Sequence, residues 1–256
     1  MTFIMARSKR REMKIQTVLF WLLVWELGSR SLHQEILLVS PFSVIRRFSV
    51  LLREREFYIS ALLSTGRILQ GFFLAELFAL FLAALSARFR FAAEMLRPPI
   101  AAIRAVPVAS FIILILVWVP SRKLSASISF LMALPILYEG LLTGIRECDR
   151  ELLEMAQVFR LSPWEQLKTI WFPAVLPYFR SATVTALGLS WKAGIAAEVI
   201  GLPKHSIGEQ LYNAKIYLDT ADLFAWTLLI VLLSAGLQRL FETMLRRGME
   251  RMERLQ

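Results

Sequence analysis

Three of the ionisable residues inside the long apolar runs of this 256-residue chain stand out: Glu76, Lys192 and Glu198. A charged side chain at the centre of a bilayer costs about 2.5–3.5 kcal/mol on insertion scales, so such residues pair with one another or face a polar path. The sequence leaves both roles open. Trp191, next to Lys192, belongs to the same candidate set, although packing or a position at the membrane interface is the ordinary role of a membrane tryptophan.

The spacing of these charges favours one pairing. Lys192 and Glu198 are six residues apart on one predicted helix, so they face different directions. Glu76 and Lys192 lie on different apolar runs, at depths that differ by roughly 9 Å at 1.5 Å per residue. Their two side chains could bridge that gap. We therefore predict an ion pair between Glu76 and Lys192, within one copy of the chain or between two copies.

Side-chain patterns for hydrolytic chemistry are missing from the sequence. It contains no G-x-x-x-x-G-K-[ST] phosphate loop and no candidate Ser-His-Asp set. Its single cysteine, Cys148, excludes an intrachain disulfide, and His33 and His205 are far apart. We therefore expect neither enzymatic activity nor a bound cofactor or metal. The chain could not hydrolyse ATP by the usual route, so energy would have to come from another subunit.

The composition indicates an all-α integral membrane protein. Hydrophobic residues make up 57% of the chain, above the usual share in soluble domains, and several apolar runs approach the roughly 20 residues that cross a bilayer. We predict a single transmembrane domain, 1–256, with a core module at about 57–245 preceded by a first span and an amphipathic extracytoplasmic segment in 1–56. The predicted transmembrane helices are 15–27, 60–87, 100–119, 124–145, 176–200 and 221–240.

The first run also has the form of a signal peptide, since basic residues precede it. The sequence Gly28-Ser29-Arg30-Ser31 lacks a small-x-small cleavage site, so we interpret the run as a retained span. The following segment, 40–56, is predicted to be amphipathic and to lie at the membrane surface.

The net charge of +10 fits the placement of basic residues in a membrane protein better than nucleic-acid binding. Lysine and arginine are concentrated before the first run, at 88–97, at 146–168 and in the tail at 246–254. Cytoplasmic loops carry such an excess. We therefore predict that both termini and the polar loop between the fourth and fifth runs lie in the cytoplasm.

That polar loop has a pattern of its own. Residues 149–159 are predicted to form a short helix with one apolar face at helical spacing, consisting of Leu152, Met155, Ala156 and Phe159. Ser162 precedes Pro163 and is placed to cap a second short helix. By pattern alone, the first helix could equally be an ordinary amphipathic helix at the membrane surface.

The loop resembles the EAA loop of the permeases of ATP-binding cassette (ABC) importers. Glu154 and Ala156 fit its opening, while Ala174, Leu176 and Pro177 fit its close. Two positions depart from the pattern, because Met155 replaces the middle alanine and Arg160 stands where glycine is usual. The resemblance implies that the first helix is a coupling helix that docks on a cytoplasmic ATPase. The docking residues would be Leu152, Glu154, Met155, Ala156, Phe159, Arg160, Leu161 and Ser162.

The similarity extends over about 25–245 and is most specific for the nitrate, taurine and sulfonate branch. It rests on Trp25-Glu26, Ser40-Pro41, Ser64, Arg67, Gly71, Arg97-Pro98, Pro107, Gly188, Trp191, Ala197, Glu198, Gly201 and Ser206-Ile207-Gly208.

This resemblance implies a type I importer permease (MetI-like) fold with six transmembrane helices in the bacterial inner membrane. It also implies a pair of permease subunits, usually identical in this branch, two ATPases and an extracytoplasmic binding protein. The implied substrate is a small anion, such as nitrate, a sulfonate or a taurine-like molecule, or a small vitamin precursor. An ATPase-independent secondary transporter and a non-transporting membrane scaffold remain the alternatives.

Overall fold

The structure is a computed structural model that describes residues 15–32 and 38–253. Within these ranges the chain is helical, with short turns between the elements and one π-helical turn, Leu167–Trp171. The basic cluster before the first run and His33 lie outside the described residues. The α-helices are α1 (Ile15–Leu32), α2 (Pro41–Leu51), α3 (Arg55–Arg88), α4 (Arg90–Ala105), α5 (Val108–Leu116), α6 (Ser121–Arg146), α7 (Arg150–Val158), α8 (Pro163–Gln166), α9 (Phe172–Gly201), α10 (Ile207–Ile216) and α11 (Thr220–Glu253).

Five of the six predicted spans correspond to one helix each, α1, α3, α6, α9 and α11. The predicted span at 100–119 is wrong as a single helix, because α4 and α5 are bent by 103°. The break lies at Pro107, and Val106 before it is extended, with φ −82° and ψ 132°, as the residue before a proline usually is. At nine residues, α5 is about 13.5 Å long, too short to cross a 30 Å hydrocarbon core alone.

Three described helices, α3, α6 and α11, are long and apolar enough to cross a membrane, and the bent pair α4–α5 raises the number to four if it is one span. Among the described residues, α1 and α9 do not reach the same standard. Arg180, Lys192 and Glu198 are distributed along α9 and lower its apolar character. The structure therefore supports a multi-pass helical protein, while six separate crossings remain a prediction.

Helix α6 lies at the centre, between α3 and α9. Small residues let the backbones approach closely, which is how membrane helices associate without a hydrophobic driving force between them. A Cβ on Gly71 of α3 would lie 2.0 Å from the carbonyl oxygen of Ala126, and one on Gly194 of α9 would lie 2.6 Å from Ser129 Oγ. In addition, the Ser129 and Ser190 hydroxyls each donate to the other residue's carbonyl, at 3.1 and 3.0 Å. These contacts hold the three helices as one unit.

The predicted amphipathic segment at 40–56 contains α2. Ser40 caps this helix by accepting from the Ser43 amide at 3.2 Å, and Pro41 occupies its first turn, as favoured at helix starts. Arg47 of α2 makes a two-pronged contact with the Asp222 carboxylate in the first turn of α11. As a result, α2 is fixed to the beginning of the last helix.

Candidate functional site

The loop between α6 and α9 contains the short helix that the sequence predicted. Asp149 caps α7 by accepting from the Glu151 amide at 2.9 Å. At the other end, the Leu161 amide donates to the Ala156 carbonyl at 2.9 Å and the Arg160 amide to the Gln157 carbonyl at 3.1 Å. These two bonds are those of the Schellman motif, which satisfies the last carbonyls of a helix. Both ends of α7 are therefore fixed.

Arg160 has a left-handed backbone conformation, with φ 51°. The residue that follows a helix in a Schellman motif takes this conformation, and glycine takes it without steric penalty. The geometry explains why a glycine is usual at this point of the EAA pattern. The Arg160 side chain is exposed.

A second cap begins α8. The Glu165 amide donates to Ser162 Oγ at 3.3 Å, and the Ser162 amide and hydroxyl donate to Glu165 Oε2 at 2.8 and 2.7 Å. Together these bonds form a capping box. The hydrogen bonds from the Ser162 hydroxyl and amide hold the pKa of Glu165 below its usual value. The π-helical turn then leads without a break into α9.

Helix α7 has two apolar sides with different surroundings. Ala156 is fully buried against Cys148 and Ile170, with Leu153 and Leu161 beside them. Leu152, Met155 and Phe159 are 44%, 45% and 71% exposed. Ala156 of the predicted docking ridge is therefore not on the outward surface, because its methyl group faces the chain's own π-helical turn.

Several exposed groups surround the outward side. Glu154 and Ser162 are exposed, and so are Val158 and Trp164. The outward surface of α7 and α8 is thus an apolar patch with a polar edge, and Leu161 is only partly accessible there.

Cys148 lies in the cluster beneath α7 and is 7% exposed. Burial, and secondarily the nearby Asp149 carboxylate, raise the pKa of its thiol. Because the thiolate is the reactive form, Cys148 is a poor reporter of the side of the membrane on which this loop lies.

Glu198 is fully buried between α3, α9 and α10. The Ser64 hydroxyl donates to Glu198 Oε2 at 2.6 Å and itself accepts from the Ile207 amide at 2.9 Å. Arg67 Nη1 lies 3.5 Å from Glu198 Oε1. Of the two roles left open by the sequence, the structure supports the structural one, because the carboxylate joins three helices and has no exposed surface.

The approach of α10 to this carboxylate requires a glycine. A Cβ on Gly208 would lie 2.3 Å from the backbone carbon of Glu198. Ser64, Arg67 and Gly208 were recognised in the sequence only as separate positions that resemble the importer permeases. Their convergence on Glu198 could not be inferred from spacing, since Ser64 and Glu198 are 134 residues apart.

Trp191 and Lys192 have opposite environments on α9. Trp191 is 1% exposed, and its indole N–H donates to the Ile230 carbonyl at 3.1 Å, so it is a packing residue. Lys192 is exposed, and Glu76 is half-buried beside Thr183 of α9. Within the described part of one chain, the structure does not join Glu76 and Lys192 in the predicted ion pair.

Several charged pairs were missed by the sequence reasoning, and one of them joins α4 to α6. Arg104 of α4 contacts the carboxylate of Glu139, which lies seven residues before the last residue of α6. The pair borders a cavity of about 910 Å³ between α4 and α6, where Arg97 and Arg146 also lie. The sequence signal was weak, because Glu139 lies inside the apolar run 124–145, which is typical of an ordinary span.

Comparison with known proteins agrees with this arrangement. The model of the family described as "Binding-protein-dependent transport system inner membrane component" matches residues 62–247. The putative aliphatic sulfonates transport permease protein SsuC of Escherichia coli (strain K12) is 31% identical over 201 residues, which cover 77% of this chain and 75% of the relative. The riboflavin transport system permease protein RibX of Chloroflexus aurantiacus is 30% identical over 236 residues, covering 88% and 87%.

A solved structure has the same fold. The crystal structure of an amino acid ABC transporter with histidines aligns with a TM-score of 0.56 at 16% identity and covers 82% of this chain and 97% of that one. At this identity the likeness concerns the fold alone. The family match spans most of the chain and includes α7, the capped loop and the Glu198 cluster. The chain therefore belongs to the family of inner-membrane components of binding-protein-dependent transport systems, the ABC transporter permeases.

Proposed function

We propose that this chain is the permease subunit of a bacterial importer, in which two copies form the path and two cytoplasmic ATPases dock below. An extracytoplasmic binding protein delivers the substrate. ATP and magnesium bind to the ATPases, and their closure moves α7 and opens the path outward. The organisation expected from the sequence is part of this proposal: six spans, both termini in the cytoplasm, and a core module at about 57–245.

One observation carries the proposal: α7 presents exposed Leu152, Met155 and Phe159 on a helix that is capped at both ends. An amphipathic helix with its apolar side in a partner's groove is a recurrent recognition mode. The inward side of α7 packs on Ile170, in the turn that continues into α9. A force on α7 would therefore pass directly to a membrane helix.

Lys192 is our candidate for a path residue. It is exposed on α9, and a lysine that faces lipid at that depth is costly unless its long stem reaches the interface. We propose that its ammonium faces the path between two copies and favours an anionic substrate. Glu76 stays a candidate for the same path or for a contact with the second copy, whereas Trp191 and Glu198 do not.

Two rival functions have weaker support. A secondary transporter often shows an internal repeat, and the sequence shows none. A non-transporting scaffold would give no function to a charged, exposed lysine at position 192 inside a membrane helix. Neither rival accounts for an exposed apolar patch on a capped helix in a polar loop.

Replacing Met155 with aspartate tests the docking surface. A charge without a partner in a buried interface costs about 3–5 kcal/mol, so Met155→Asp should abolish co-purification of the ATPase and uptake of substrate. Gln157→Asp is the matched control, because Gln157 is exposed on the same helix outside the apolar patch. Membrane insertion should be normal in both variants. If Met155→Asp retains the ATPase and transports at the rate of the control, α7 is not the docking surface.

A further inference from the structure

A long groove runs along the membrane part of the protein between α3, α5 and the first half of α6. Its volume is about 1490 Å³. On α3 the lining extends from Leu62 to Phe78, which corresponds to about 24 Å of helix. The groove ends at the start of α6, where the loop after α9 closes one side. None of the residues discussed for ATPase docking lines it.

Among the described residues, all the ionisable side chains that line the groove are basic, and they lie at one end of it. They come from three separate segments: Arg67 of α3, Arg122 and Lys123 at the start of α6, and Lys204 and His205 in the loop after α9. We call this set the basic rim. Within the part of the chain that the structure describes, no aspartate or glutamate lines the groove.

Two members of the basic rim are already paired. Arg67 lies 3.5 Å from Glu198, and His205 Nδ1 lies 2.6 Å from Glu56 Oε1. Among the described residues, Arg122, Lys123 and Lys204 form no ion pair, and all three are exposed. The positive charge of the rim is therefore available to an anion.

Away from the basic rim the groove is apolar. Leu74, Phe78, Phe130 and Leu131 line it, and Phe78 and Phe130 meet edge to face with ring centroids 5.6 Å apart. Among the uncharged residues of the lining, Gln70, Ser121 and Ser127 have amide or hydroxyl groups. A ligand that fits both regions has an anionic head and an elongated apolar body.

The rim lies at the opposite end of α6 from α7. This helix has 26 residues and is therefore about 39 Å long. If α7 meets a cytoplasmic ATPase, the rim faces the outside, where the positive-inside rule predicts few basic residues. A basic cluster on that side needs a reason other than topology, and an anionic solute released by a binding protein supplies one.

We propose that this groove is an entry site for the transported solute, and that the solute is an organic anion with an apolar body rather than a small inorganic anion. The inference rests on the proposed function as an importer permease. It narrows the substrate classes that the family resemblance left open.

Direct binding to the full permease–ATPase complex tests the proposal. The complex is placed in nanodiscs of phosphatidylcholine, and isothermal titration calorimetry is used with hexanesulfonate, methanesulfonate and sulfate at neutral pH. Sulfonates are fully ionised at neutral pH, so hexanesulfonate and methanesulfonate differ only in the length of the apolar body. We expect hexanesulfonate to bind at least tenfold more tightly than methanesulfonate, and sulfate to bind no better than methanesulfonate.

Two matched pairs of variants locate the site. A Cβ on Gly66, in the groove, or on Gly236, on α11, would meet no heavy atom within 4 Å. Gly66→Phe should therefore place a phenyl ring in the groove and weaken the binding of hexanesulfonate at least tenfold, while Gly236→Phe should leave it unchanged. Removing two rim charges by Arg122→Gln and Lys123→Gln should weaken the binding of both sulfonates about equally. Lys215→Gln should leave their binding unchanged, because Lys215 is exposed on α10 outside the groove.

Three kinds of result would overturn the proposal. The first is equal affinity for sulfate and hexanesulfonate, or wild-type affinity in Gly66→Phe. The second is displacement of hexanesulfonate by phosphatidylglycerol in the nanodisc with loss of that lipid in Gly66→Phe, which would assign the groove to a membrane lipid. The third is dissociation of the permease dimer in Gly66→Phe, which would make the groove a contact between copies.

The importer function itself is judged by a separate readout. If the wild-type permease does not bring down its ATPase, the proposed function fails regardless of these titrations. If the ATPase co-purifies and the titrations fail, only the entry site is refuted.

Discussion

The Ser64 hydroxyl connects three helices, since it donates to Glu198 on α9 and accepts from the Ile207 amide that begins α10. Ser64→Ala leaves a buried carboxylate oxygen and a buried amide each without this partner. An unsatisfied buried group costs about 1–3 kcal/mol, so we expect a loss of stability of that order in a thermal or denaturant unfolding experiment in detergent.

Ser60 supplies the control for this prediction. It lies one turn earlier on α3, is equally buried, and its hydroxyl has no hydrogen-bond partner among the described residues. Ser60→Ala should therefore be close to neutral. If the two substitutions changed stability equally, the hydrogen bonds of Ser64 would contribute nothing to stability beyond the packing of its side chain.

Substitution of Arg160 by glycine is expected to stabilise the end of α7 rather than destabilise it. Because its φ is 51°, Arg160→Gly should relieve backbone strain of about 1 kcal/mol and slow hydrogen exchange at the Leu161 amide, which closes α7. Arg160→Ala removes the same charge but keeps the strained conformation, so it should bring no such protection. Slower exchange in both variants would attribute the effect to the charge instead.

At the residue scale, the sequence showed which charges stand inside spans but not what surrounds them. Lys192 and Trp191 are adjacent, yet one is exposed and the other buried, because neighbouring residues on a helix point about 100° apart. The rotation of α9 is set by its contacts with α6, and no single sequence reveals it. Within the described part of one chain, Glu76 and Lys192 do not form the predicted pair, and a pair between two copies stays a prediction. Ala156 turns inward.

At the scale of elements, α3 contains two glycines in contrasting places. A Cβ on Gly71 would lie 2.0 Å from the Ala126 carbonyl oxygen, whereas one on Gly66 would meet nothing within 4 Å. Gly71→Ala should force α3 and α6 apart and cost about 1–3 kcal/mol, as overpacking does. Gly66→Ala should stabilise the helix by about 0.5–1 kcal/mol, because alanine loses less backbone freedom.

Unfolding of both variants in detergent measures this difference. Since the two glycines share one helix, the comparison cancels any general effect of alanine on α3. A Gly71→Ala protein as stable as Gly66→Ala would show that the interface between α3 and α6 is loosely packed.

Most helices could be predicted, because an apolar run of membrane length rarely forms anything but a helix that crosses the bilayer. Capping residues were equally informative: Asp149 and Ser162 begin α7 and α8, close to the predicted boundaries. The break at Pro107 and the π-helical turn at Leu167–Trp171 could not be predicted in the same way. A hydropathy profile averages over many residues, so it does not reveal a local break in an α-helix. The sequence is apolar on both sides of residue 107, which hides the break there.

At the scale of the whole molecule, the orientation in the membrane is open to a direct test. Cys148 is buried and its thiol pKa is raised, so we expect it to react slowly with maleimides even in permeabilised cells. In a Cys148→Ser background, Gln157→Cys and Lys215→Cys place single thiols at exposed positions of α7 and α10. We expect an impermeant maleimide to label Lys215→Cys in intact cells and Gln157→Cys only after permeabilisation.

The two cysteine variants control for each other, because labelling of either one shows that the reagent is active and that enough protein is present to detect labelling. Labelling of Gln157→Cys in intact cells would place α7 outside the cytoplasm and refute ATPase docking. Protection of Gln157→Cys after permeabilisation that disappears when the ATPase is absent would instead support docking at this helix.

The glycine and serine contacts among α3, α6 and α9 have a mechanical consequence. Long side chains can change rotamer as helices slide. The contacts of Gly71 with Ala126 and of Ser129 with Ser190 involve backbone atoms, so they leave no room for such a change. The three helices must therefore turn as one stiff block. Bending is left to the places without these contacts: the 103° break between α4 and α5 and the π-helical turn below α9. In the proposed import cycle, we expect these two segments to be the hinges about which the path opens.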